Sequence, residues 1–191
     1  MTERTEKRIY RFDRKKLESE LVDANLLPAF PFKKEEWQAN LFESASHFVE
    51  DDFVALVDAI KHVSVDDKIF IINYEMHGKP LPNDIPAEWE IGLSWQEFDS
   101  NVQGAPLGSL GLYMWGPSQK WAVICSYGEY LVYGGEEAFI RCIEDHYGGR
   151  DKICDRFMKF VDEGGPNVSR SFARQLIQSI YPAEARIGDA H

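Results

Sequence analysis

WAVICSYGEYLVYGG, residues 121–135, decides the fold. Two apolar and aromatic runs, 121–127 and 130–134, flank Gly128-Glu129, the two-residue signature of a tight β-hairpin. In a strand, successive side chains point to opposite faces. Trp121, Val123, Cys125 and Tyr127 therefore share one face, and Ala122, Ile124 and Ser126 the other. Upstream, LGLYMW (110–115) followed by GPSQ adds another strand and turn. The segment 110–134 reads as a three-stranded antiparallel meander.

Helical signals surround it. Glu136-Glu137 sit where acids meet the positive end of a helix dipole, and Phe139, Cys142, Ile143 and His146 give that helix an inward stripe up to Gly148-Gly149. Ile153, Phe157 and Phe160 mark a second helix, closed by Gly164-Gly165-Pro166, and Phe172, Leu176 and Ile180 a third over about 171–180. On the N-terminal side a strand is expected at 9–12, then a helix capped by Asp13 that carries Leu17 and Leu21. Pro28 and Pro31 break the chain. A helix is expected over 35–49, with Trp37, Leu41, Ala45 and Phe48 at helical spacing. Asp51 or Asp52 then caps another, whose Phe53, Leu56, Val57 and Ile60 form an i, i+3, i+4, i+7 stripe. Asp66-Asp67 turn into a strand at about 68–75, HGKPLPNDIP is a loop, and Ser94 to Glu97 has capping-box spacing for a short helix.

Strands in the middle with helices at both ends predict an α+β fold, an antiparallel sheet with helices packed on it. A single domain over 1–181 and a frayed tail over 182–191 are expected.

The net charge of -11 is unevenly spread. Residues 1–16 carry +4, whereas residues 35–99 hold fifteen Asp/Glu against Lys61, Lys68 and Lys79, a balance of -12. Such a surface repels nucleic acid and anionic lipid and attracts a basic partner, although acidity also serves solubility alone. No long apolar run spans a membrane, and the charged start MTERTEKRIYRF lacks a signal peptide's apolar stretch. Cys125, Cys142 and Cys154 fit no disulfide or metal framework and read as reduced thiols, so a cytoplasmic chain is expected.

No motif names a reaction. Cys125 lies mid-strand, where a small buried hydrophobe is the ordinary occupant, and not beside a base or helix N-terminus that would activate a thiol. Cys142 and His146 are one helical turn apart, and Glu75 and His77 share a strand face, but two ligands make no metal site. No cofactor is called for. The paired carboxylates at 51–52, 66–67, 136–137 and 144–145 sit at helix starts and turns, where capping and solvation explain them. Trp115 at a hairpin tip and Tyr127 and Tyr130 around the next turn are expected as exposed interface aromatics.

In size, acidity, missing export signal and the meander-then-helix segment WAVICSYGEYLVYGGEEAFI, the chain resembles bacterial immunity proteins, small cytosolic α+β proteins that neutralise toxins. The resemblance implies stoichiometric inhibition of a nuclease-like or other toxin by occlusion and charge complementarity. It carries over no binding residue. From charge and periodicity, the expected partner-binding set is Asp52, Asp58, Asp66 and Asp67, all solvated, together with Glu75 and the aromatics Trp115, Tyr127 and Tyr130. The competing expectation is a small hydrolase-like enzyme whose site is assembled from dispersed residues such as Glu75, His77 and Asp99.

Overall fold

The computed structural model describes residues 17, 20–22, 27–44, 48–73, 88–105, 111–126, 129–164 and 169–181. The expected strand at 9–12, the start of the first helix, Glu75, His77, Tyr127 and the tail at 182–191 lie outside them.

The meander forms as read: β4 (Leu112–Trp115), β5 (Trp121–Ser126) and β6 (Tyr130–Gly135) pair antiparallel in sequence. β6 also pairs with β1 (Gln38–Glu43), and β4 with β2 (Lys68–Asn73), which in turn pairs with β3 (Glu88–Gly92). The result is a six-stranded antiparallel sheet in the order β1-β6-β5-β4-β2-β3. The helices are α1 (Glu50–Val63), a short α2 (Trp95–Phe98) that runs on into a wider π-helical turn at Asp99–Gln103, α3 (Glu137–Tyr147), α4 (Arg150–Asp162) and α5 (Arg170–Ile180). The fold is α+β.

Two expectations fail locally. Residues 38–43 form strand β1 and not part of a helix, and Glu88–Gly92 is a strand where none was expected. In β1 the alternation Trp37, Ala39, Leu41 is broken by an apolar Phe42, because Leu41 packs on one side of the sheet and Phe42 on the other. A strand buried on both faces loses its period of two, and the residual spacing mimics a helix.

Helices cover both faces. Trp121, Val123 and Cys125 of β5 pack under α1 and α3 with Phe53, Leu56, Ile60, Phe139 and Ile143. Ala122 and Ile124 point to the other side, where Phe32, Trp37, Phe157 of α4 and Leu176 of α5 close the second core. α3 ends as its sequence requires. Gly148 takes the left-handed conformation at φ 81°, and the Gly149 amide returns to the Glu144 carbonyl at 2.8 Å.

The open side of β1 is sealed by the last described residue. The Leu41 amide donates to the Tyr181 hydroxyl at 2.9 Å, and that hydroxyl donates to Asn40 Oδ1 at 3.1 Å. All three residues are buried. Tyr181→Phe removes the shared oxygen and strands a buried amide and a buried carbonyl, so it should cost about 2 kcal/mol in chemical denaturation. A loss within experimental error would show that water replaces the hydroxyl.

Candidate functional site

α1 places the acidic third of the chain in space. Its inward stripe of Phe53, Leu56, Val57 and Ile60 is buried, which turns Glu50, Asp51, Val54, Asp58, Lys61 and His62 outward. Asp58 and Asp67 are exposed, as expected. Two apolar residues stand among the acids: Val54 is 42% exposed and Val49, just before the helix, 49%. Among the described residues no cation pairs with Glu50 or Asp58.

Beside α1 runs α3. The groove between them, about 370 Å³, is lined by His62, Glu137, Ala138, Arg141, Cys142 and Asp145. Arg141 is held by Glu137, one turn away on the same helix. The Cys142 thiol is pushed up by burial and by Asp58 and Asp145, which favours the unreactive protonated form. His146 turns instead to Asp51, Nε2 to Oδ2 3.3 Å. Cys142 and His146 thus face different partners, and among the described residues no group of three His, Cys, Asp or Glu could hold a metal. Cys125 is fully buried in the core.

At the N-terminal end of α1 five elements meet around a cavity of about 180 Å³. β1 contributes Phe42 and Glu43, β6 Leu131, α1 Asp51 and Asp52, α3 Tyr147 and α4 Arg156. Neither acid of α1 caps the helix: Val49 is the N-cap residue, and Asp51 and Asp52 lie in the first turn, where acids suit the dipole. Asp52 is half-buried and accepts from the Tyr147 hydroxyl through Oδ1 and from the Val49 backbone. The Tyr133 hydroxyl, in the core beneath, donates to the Asp52 carbonyl oxygen at 3.4 Å. Across the cavity Arg156 Nε donates to Glu43 Oε1 at 3.0 Å, and its guanidinium lies 5.6 Å from the centre of the Tyr147 ring.

The cavity is short of cations. Burial raises the Asp52 carboxyl above the ordinary range, against the lowering effect of its two hydrogen bonds, and the charges of Glu43 and Asp51 add to the rise. Tyr147 is raised as well, by burial and then by Asp52. Because the folded chain holds the Asp52 proton more tightly than the unfolded one, its ionised form opposes folding above the raised value. The cost disappears as pH falls through it. Asp52→Asn should therefore melt above wild type at pH 7, and the gap should close on acidification to about pH 3, below the free aspartate value. A gap independent of pH, or one that widens in acid, would contradict this assignment.

The expected partner-binding set thus divides. Asp52 is half-buried and bonded by Tyr147 rather than solvated as expected, whereas Asp58, on α1, and Asp67 stay exposed. Asp66 does not: it is only 8% exposed and serves the turn between β4 and β5. Trp115 is no exposed anchor; it is 7% exposed, against Phe70 with ring centres 5.8 Å apart. Tyr130 is buried against Phe172 of α5, at 6.1 Å. Both aromatics face the side of the sheet that α4, α5 and Phe32 cover, so the meander has no free aromatic tip among the described residues. Asp99 lies exposed on the π-helical turn, bonded by Gln103. Glu43, Tyr147 and Arg156 were missed. Had β1 been recognised, Glu43 would have been placed at its end, but no local pattern links the three residues.

No protein-family model matches the chain, and comparison with curated proteins and with solved structures finds no match.

Proposed function

We propose that the chain is a binding protein that captures and neutralises a basic protein partner, in the manner of an immunity protein against a toxin. The observation that carries this reading is the outward face of α1, where exposed Val49 and Val54 stand among Glu50, Asp51 and Asp58. Apolar contact area ringed by one sign of charge suits a partner that is first steered and then desolvated. Like charges along one helix face repel in the free protein, and a basic partner relieves that repulsion.

The test begins with the genes beside the one encoding this chain. One of them should specify a basic protein whose toxicity to cells is relieved by co-expression of this chain. The purified pair should associate roughly tenfold more slowly in high than in low salt, as screened charge steering requires. Asp58→Lys should slow association in low salt and flatten the salt dependence, with the free protein melting as before. An association rate indifferent to both salt and Asp58→Lys would reduce the charge to solubility and end the proposal.

A further inference from the structure

The cavity where β1, β6, α1, α3 and α4 meet has mixed walls. Phe42, Phe48 and Leu131 are apolar, Tyr147 is aromatic, and Glu43, Asp51 and Asp52 bring three carboxyls against one guanidinium, that of Arg156. Glu43 Oε1 takes Arg156, while Oε2 is closed off from solvent and meets no donor among the described residues. Among the described residues Asp52 accepts from a neutral phenol and a backbone amide and from no cation. A carboxylate oxygen removed from water without a donor costs free energy, and a donor arriving from outside recovers it.

We propose that this cavity seats one cationic side chain, a lysine or arginine, of the basic partner; the proposal rests on reading the chain as a binder of such a partner. The apolar walls suit the methylene stem of either residue. The carboxylates suit its head, which has several N–H donors and no acceptor. Arg156 already lies over the Tyr147 ring, so the site accommodates a cation against that aromatic surface. About 180 Å³ leaves room for a single side chain and not for a folded segment. The partner's cation would join Arg156 as a second positive charge among the three carboxyls.

The probes are N-acetyl-lysine amide and N-acetyl-arginine amide, with N-acetyl-norleucine amide as the neutral control, titrated into the full chain and followed by backbone NMR shifts. Both cations should give saturable shifts centred on Phe42, Asp52 and Tyr147, and the neutral control none. Glu43→Gln and Asp52→Asn should each weaken the cations about tenfold, the worth of one charge-assisted hydrogen bond. Glu163→Gln, exposed just past the end of α4, should change nothing. Equal binding of norleucine amide, shifts elsewhere on the surface, or affinities untouched by both cavity variants would each overturn the proposal. Should either variant melt below the working temperature, probe affinity for wild type must fall with salt, and a salt-independent affinity overturns it. The two proposals fail separately. Probe binding without capture of any basic toxin leaves the cavity and removes the partner reading. Toxin capture undiminished in Glu43→Gln and Asp52→Asn does the reverse.

Discussion

Asp66→Ala should lower the unfolding free energy by about 3 kcal/mol, the scale of breaking a buried, hydrogen-bonded carboxylate. Asp66 Oδ1 accepts from the Ser118 amide at 2.9 Å, and Oδ2 from the Ser118 hydroxyl at 2.6 Å and from Trp121 Nε1 at 3.1 Å. Its removal leaves the indole N–H of a fully buried tryptophan with no acceptor. The packing is tight enough that a Cβ on Gly116 would stand 2.1 Å from Oδ2, so the turn between β4 and β5 is shaped around this one carboxylate. The neighbouring Asp67 is exposed, and Asp67→Ala should stay within about 0.5 kcal/mol of wild type. Urea denaturation of the two variants side by side decides the matter. Equal midpoints would mean that the carboxylate has no structural role. Charge reversal at 66 and 67 together is accordingly no test of the surface, since the first of them dismantles a turn.

Trp115→Ala should cost about 4 kcal/mol, the range for truncating a buried tryptophan. In register Trp115 lies between Phe70 of β2 and Ala122 of β5. Its indole fills space on the face that also holds Tyr113, Ile124 and Val132. A change under about 1 kcal/mol in calorimetry would instead return the residue to the surface.

Both residues show where sequence reasoning stops. The alternation in 121–135 gives each β5 side chain its correct face, and the i, i+3, i+4, i+7 stripe of 53–60 gives α1 its inward side, because periodicity is a local property. Whether a face meets solvent depends on what returns to cover it. Tyr130 stacks on Phe172, 42 residues downstream, and Trp115 packs on Phe70, 45 residues upstream. The same remoteness hides Glu43 from Arg156, 113 residues apart, and Asp52 from Tyr147, 95 apart. Asp66 was misread for a related reason. Asp-Asp at a turn is ordinarily solvated, and nothing near it in the sequence announces three donors waiting in the β4–β5 turn. The alternation Glu88-Trp89-Glu90-Ile91, by contrast, is a local strand signal that the sequence alone carries.

The Tyr181 hydroxyl that closes β1 also sets an order of events in time. Its acceptor and donor, Asn40 and Leu41, leave the ribosome some 140 residues earlier. At about 5–20 residues per second, the interval is on the order of ten seconds. Throughout it the Leu41 amide lacks this partner, and an unpaired strand rim recruits other chains. A nascent chain of this protein is therefore most vulnerable to aggregation between the emergence of β1 and that of the residues that follow α5. A chaperone that shields residues 38–43 during synthesis would raise the yield of native protein without touching its final stability.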